Sequence, residues 1–155
     1  PEAFAYLGGA GREETVAANR TDFGAWRIVP RVLTDISTRS LASTIHGQVA
    51  AAPVVVSPIG LHELYHAEGE LPAARAAAAR GIPFTLSCQS SRTLEEVAAA
   101  MGGAPRFFQL YWSRDRALTR SFIGRAEAAG YSALVVTLDT RLLGWRPRDL
   151  DLGHN

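Results

Sequence analysis

The stretch GLHELYHAEGE, residues 60–70, places His62, Glu63 and His66 in the H-E-x-x-H spacing. On an α-helix, residues four apart share a face, so the two imidazoles could grip one Zn²⁺ while Glu63 serves as general base, the arrangement of a zinc hydrolase. The alternative is a turn ahead of a helix that binds no metal. The zinc reading lacks a persuasive third ligand, since Glu95 and Glu96 lie beyond a further predicted strand and Gly60 and Gly69 bracket the motif. A second set of polar residues is more dispersed. Ser57-Pro58-Ile59-Gly60, Ser87-Cys88-Gln89-Ser90, Gln109-Leu110-Tyr111 and Thr137-Leu138-Asp139 each close a short apolar run, and Arg146 arrives just beyond the last. Amide, hydroxyl and phenol groups with one guanidinium suit a planar, hydrogen-bonding cofactor and an anionic substrate, because an Arg fork matches a carboxylate.

The elements that must position these groups recur along the chain. Runs rich in β-branched and aromatic residues, PVVVSP, PFTLS, RFFQLYW and ALVVTLD, start at residues 53, 83, 106 and 133. Between them lie Ala-rich stretches with helix punctuation. The first, residues 68–81, carries Pro72 near its start and Gly81 at its end. In SRTLEEVAAAMGG, Thr93 and Glu96 have capping-box spacing and Gly102 supplies the stop; in DRALTRSFIGRAEAAG, Leu118, Phe122, Ile123 and Ala126 fall at helical spacing. Alternation of this kind predicts parallel strands with right-handed helical crossovers, in a doubly wound sheet or a (β/α)8 barrel, with chemistry at the carboxyl ends of the strands. A closed barrel takes about 250 residues. The 155 residues here are therefore expected to supply half of one: an N-terminal extension over 1–52 and four βα units over 53–155, the last incomplete, with no helix in the tail RPRDLDLGHN. A non-catalytic half-barrel that associates through its exposed strand edges is the rival reading.

Composition narrows the classes. The chain is 47% hydrophobic and 20% charged, enough for one domain with a sizeable core. Its formal charge is +1, from 16 basic and 15 acidic side chains with no block of one sign, so nucleic acid is not an expected partner. The apolar stretches are short and broken by proline, and no basic-then-apolar segment opens the sequence, so no membrane contact and a cytoplasmic location are expected. Cys88, the single cysteine, has no internal disulfide partner and reads as an inert small hydrophobe.

The segments YLGGAG, ANRTDFGAWRIVPRVL, PVVVSPIGLHELYHAEGE, RFFQLYW and LVVTLDTRLLGWRPRDL, in this order, resemble the FMN-dependent α-hydroxy acid oxidases and dehydrogenases. That TIM-barrel family includes glycolate oxidase, lactate oxidase and lactate 2-monooxygenase, and SPIG with LGWRPRDLD looks most like the last. The resemblance implies FMN as cofactor, a small L-2-hydroxy acid such as L-lactate and O2 as substrates, and a homo-oligomer of tetramer size or larger. It implies no metal: HELYHAEGE is similar to the family's loop and helix start after the first barrel strand. By the same resemblance Ile59 and Gly60 lie against the flavin ring, and Ser87, Gln109 and Thr137 hydrogen-bond its edge. Tyr111 contacts the substrate, Arg146 clamps its carboxylate, and Asp139 orients a catalytic histidine. A monooxygenase outcome gives acetate, CO2 and water, whereas an oxidase releases the 2-oxo acid and H2O2.

Some positions depart from the family pattern. Tyr6, the match to a substrate-contacting tyrosine, stands three residues before Gly9 where the family spacing is four; Gly60 replaces a common alanine; and Gln89 stands where an aromatic residue often covers the substrate. The family's catalytic histidine, its second carboxylate-binding arginine, its flavin-stabilising lysine and its phosphate loops come from the second half of the barrel. None of His46, His62, His66 and His154 occupies that histidine's motif, so the remaining half of the barrel is an expected partner.

Overall fold

The computed structural model describes residues 11–140, 142 and 144–151. They fall into two compact units, one within 1–39 and 141–155, the other Ser40–Thr140. The first unit contains helix α1 (Glu14–Thr21), which runs into a 3-10 turn at Asp22–Ala25. It also contains a short helix α5 (Pro147–Asp151). The tail was expected to lack a helix, but Pro147 is pre-set for a first helical position and the Arg146 carbonyl accepts the Leu150 N–H at 3.2 Å. Much of the rest of this unit lies outside helices and strands and is exposed, including Ile28, Val29, Val32 and Leu33.

The second unit carries the architecture. A hairpin of β1 (Ser43–Ile45) and β2 (Gln48–Ala50) turns at His46 and Gly47, whose φ values of 46° and 76° are those a two-residue type I′ turn needs. The chain then alternates: α2 (Leu71–Ala79), β3 (Phe84–Ser87), α3 (Leu94–Met101), β4 (Arg106–Tyr111), α4 (Arg116–Ala128) and β5 (Ala133–Thr137). Strands β3, β4 and β5 form one parallel sheet in that order. The strand expected over PVVVSP is reduced to one bridge, Val56 with Phe84. Only Val56 pairs: it donates to Pro83 O at 2.9 Å and accepts from Thr85 N at 3.0 Å, while Val54 N turns to Ala52 O at 2.8 Å and Pro53 and Pro58, without N–H groups, bound the run.

Successive side chains of a strand point to opposite faces. Phe84, Leu86, Phe108 and Leu110 share one face and join Ala74, Ala77, Leu94, Val97, Ala98 and Met101 of the helices in the main core. Thr85, Ser87, Phe107 and Gln109 are buried on the other face, where the His46 ring meets Phe107 edge-on with centroids 5.6 Å apart. At the amino end of β4, Arg106 donates to the carbonyls of Gly102 (2.6 Å), Ala104 (3.2 Å) and Ala129 (2.8 Å). One guanidinium thus serves the orphan carbonyls at the ends of both α3 and α4. Tyr131, which donates to Leu94 O at 2.8 Å, has its phenol pKa pushed up by burial.

The capping box read from the sequence is present at the start of α3. Thr93 Oγ1 accepts the Glu96 N–H at 3.2 Å, and the Glu96 carboxylate accepts from Thr93 N and Oγ1, both at 2.8 Å. Those two bonds, the backbone one first, hold the Glu96 carboxyl below its ordinary range. Its stabilising contribution is therefore complete above the ordinary glutamate value and is lost as pH falls through the lower folded value. Thr93→Ala is expected to cost about 0.5–2 kcal/mol in chemical denaturation at neutral pH. The same variant should lose less stability than wild type on acidification, because its Glu96 has less to lose.

Candidate active site

Parallel register brings three polar strand ends side by side. Ser87 pairs with Gln109, and Tyr111 pairs with Thr137. All four occupy the sheet face opposite the main helix-packed core. Gln109 is 1% exposed and central to the group. Its Oε1 accepts from Ser87 Oγ at 3.2 Å and from Cys88 N at 3.4 Å, while its Nε2 donates to Thr137 Oγ1 at 2.8 Å. The Cys88 N–H can only donate, so the amide oxygen faces β3 and the NH2 group faces β5. Ser87 Oγ also accepts from Gln89 N at 3.1 Å. The remaining Gln109 N–H and the Thr137 hydroxyl hydrogen have no acceptor among the described residues. Two neutral donors are left for an acceptor-rich ligand edge.

Tyr111 closes β4, half-buried, and its N–H donates to Cys88 Sγ at 3.3 Å. Ile59 is exposed and Gly60 half-buried in the loop after the Val56 bridge, which is fastened to the β3 loop by Leu61 N donating to Gln89 O at 3.0 Å. A Cβ on Gly60 would lie 3.1 Å from Gln89 Cβ and 3.2 Å from Gln89 O, so an alanine here would ask the two loops to give by a few tenths of an ångström. Asp139 is exposed just past β5. Arg146 belongs to the other unit, where its backbone carbonyl starts α5. Tyr6 lies outside the described residues.

The H-E-x-x-H segment does not form the α-helix its zinc reading needs. His62–Leu64 is a single 3-10 turn, entered from Leu61 at φ 56°. Glu63 makes an ion pair with Arg92 at 2.8 Å, and His66 Nδ1 accepts the Glu68 N–H at 3.2 Å. No cluster of three or more His, Cys, Asp or Glu that could hold a metal ion occurs among the described residues. The residue sequence reasoning missed is Glu70, which is fully buried and accepts the backbone N–H groups of His62, Ser91 and Arg92. Its signal was the glutamate that closes HAEGE, directly ahead of an Ala-rich apolar run.

The whole chain, residues 1–155, matches the FMN-dependent dehydrogenase family. It belongs to that family. An FMN-dependent α-hydroxy acid dehydrogenase of Penicillium citrinum is 42% identical over 153 residues, 98% of this chain and 38% of that protein. An L-lactate oxidase of Lysinibacillus sphaericus is 41% identical over 148 residues, 95% of this chain and 38% of its own length. Among solved structures, a mandelate oxidase superposes with a TM-score of 0.93 at 41% identity, over 99% of this chain and 46% of that one. The chain thus spans less than half the length of these relatives.

The family's cofactor is FMN, and the Ser87–Gln109–Thr137 group fits it. An isoalloxazine edge offers carbonyl and ring-nitrogen acceptors, and the uncommitted amide N–H and hydroxyl are neutral donors at one end of the sheet. Gln109→Leu deletes the central member and strands the Ser87 and Thr137 hydroxyls. FMN affinity of the full-length protein should then weaken by about 1–3 kcal/mol, read from a flavin-fluorescence titration of apoprotein.

Proposed function

We propose that this chain is the flavin-edge-binding portion of an FMN-dependent oxidoreductase that oxidises an L-2-hydroxy acid, L-lactate foremost, with O2 as oxidant. The observation that carries the reading is the continuous hydrogen-bonded row Ser87–Gln109–Thr137 at the carboxyl ends of adjacent parallel strands, in a chain of this family. A (β/α)8 barrel is the proposed complete architecture. Among the described residues β5 pairs only with β4, and Leu134 and Val136, which share the helix-covered face of Phe108 and Leu110, are each 42% exposed. A further strand and helix would cover them.

FMN, when bound, takes up the electron pair that leaves the substrate's Cα. The chain's own residues supply placement. Ser87, Gln109 and Thr137 hold the ring edge without adding charge, and Gly60 allows its loop to lie close beside the ring. Tyr111, at the end of β4, positions the substrate through its phenol, and Arg146 holds the carboxylate in a two-point fork. Asp139 orients the base that removes the hydroxyl proton. That base is proposed to come from the part of the protein this chain does not span, since none of His46, His62, His66 and His154 stands in the family's histidine motif.

Two outcomes balance for lactate. Retained pyruvate reacts with the peroxide formed beside it to give acetate, CO2 and water; released pyruvate leaves free H2O2. Gly60 and LGWRPRDLD support the first outcome, and the similarity to an L-lactate oxidase supports the second. The monooxygenase outcome is the one proposed. Full-length protein given L-lactate in air should yield acetate; stoichiometric free peroxide with pyruvate would establish the oxidase instead.

Arg146 provides the sharper test of the substrate site. Arg146→Lys keeps the charge but not the planar fork, and Arg146→Met loses both. Half-saturation for anaerobic flavin bleaching by L-lactate should rise in that order, with a loss of about 2–5 kcal/mol for the Met variant. FMN content should stay at the wild-type level. Unchanged half-saturation in Arg146→Met would remove the residue from the site.

A further inference from the structure

We propose that Glu70 is a positioning residue whose buried carboxylate clamps the loop bearing Ile59 and Gly60 to the loop bearing Gln89, and so fixes the backbone set against the flavin ring. The inference rests on the FMN-site reading above and assigns a role to a carboxylate that the reaction itself does not use. Glu70 is 0% exposed. A buried carboxylate is costly unless its oxygens are satisfied, and the usual solution is a cation. No ion pair among the described residues involves Glu70. Three backbone donors take that place: Oε1 accepts from His62 N at 3.2 Å and Ser91 N at 2.9 Å, and Oε2 accepts from Arg92 N at 2.9 Å.

The donors come from two different loops. His62 lies two residues past Gly60, and Ser91 two past Gln89. Around the carboxylate the same loops are joined again, by Glu63 N to Ser91 Oγ at 3.1 Å, by Arg92 Nη2 to Ala67 O at 2.8 Å and by the Arg92–Glu63 pair. Gly69 makes the approach sterically open, since at φ +61° a Cβ would lie 3.1 Å from Arg92 Cγ. At the far side of the clamp, Gly60 packs closely against Gln89, where an added Cβ would lie 3.1 Å from Gln89 Cβ and 3.2 Å from Gln89 O. The position of the Gly60 backbone is therefore set by Glu70 through two short, hydrogen-bonded paths. An acceptor-only group is needed: glutamine would turn an N–H toward an N–H at one of its two ends.

The test uses full-length holoenzyme carrying Glu70→Gln or Glu70→Asp. In Glu70→Gln the visible circular dichroism of bound FMN should change, and the limiting rate of anaerobic flavin reduction by L-lactate should fall about tenfold to a hundredfold through loss of alignment. Half-saturation should stay within about twofold, because Tyr111 and Arg146 are untouched, and Glu70→Asp should recover part of the rate. A folded Glu70→Gln protein with wild-type dichroism and wild-type limiting rate, altered only in thermal midpoint, would reduce Glu70 to a purely structural residue and overturn the proposal. Should neither variant fold, amide exchange in wild-type holoenzyme decides. The His62, Ser91 and Arg92 amides should be protected and should slow further when FMN is added to apoprotein; exchange indifferent to FMN overturns the proposal. A wild-type protein that holds FMN but is reduced by no 2-hydroxy acid would sink the functional reading alone, with the dichroism and exchange still reporting on the clamp. One that binds no FMN would sink both.

Discussion

Parallel pairing of β3, β4 and β5 is the constraint on which the rest of the molecule depends. Parallel neighbours cannot be joined by a tight turn, so each connection must leave the sheet, cross it as a helix and return. Burying those helices claims one sheet face, where Phe84, Leu86, Phe108 and Leu110 pack. The period of two then sends Ser87, Gln109 and Thr137 to the opposite face. The register sets them in a row at the same end of the sheet, close enough for hydrogen bonds of 3.2 and 2.8 Å. At the other end, Arg106 gathers the helix-terminal carbonyls that the same crossovers leave without partners.

Buried polarity is handled in two ways around the carboxyl ends of the strands. At the candidate site the buried groups are neutral, and Gln109 satisfies strands on both sides with one amide. Neutral groups cost less to bury than ions, and they leave a ligand's charge distribution to be tuned rather than overwhelmed. Glu70 is the exception, a buried ion stabilised by peptide N–H groups instead of a counter-charge. Such a carboxylate can only accept, so it admits one arrangement of the loops around it.

Much of this was legible in the residues. The alternation of β-branched and Ala-rich runs gave the order of helices and strands, the Thr93 to Glu96 spacing gave the start of α3, and Gly102 gave its end. PVVVSP has the composition of a strand, but it makes one bridge, at Val56, and Val54 N bonds back to Ala52 O instead of to a neighbouring strand. The segment RPRDLD was read as a tail, yet Pro147 opens a short helix there. HELYH matched a zinc pattern because a pattern of residue types carries no backbone angles, and Leu61 at φ 56° starts a 3-10 turn in its place.

What the sequence determined by itself is the set of local choices: which runs extend, which coil, where caps and turns fall, and which polar residues close each strand. These follow from propensities and periodicity acting over a few residues. Only the tertiary structure decided which of those polar residues meet. Ser87 and Gln109 are 22 positions apart and Gln109 and Thr137 are 28 apart, so their contact depends on strand register. The Glu70 clamp depends on it further, because its partners Ser91 and Arg92 come from a loop that β3 delivers. Register and loop contact are set by packing over the whole sheet, a sum of long-range terms that no short stretch of sequence contains.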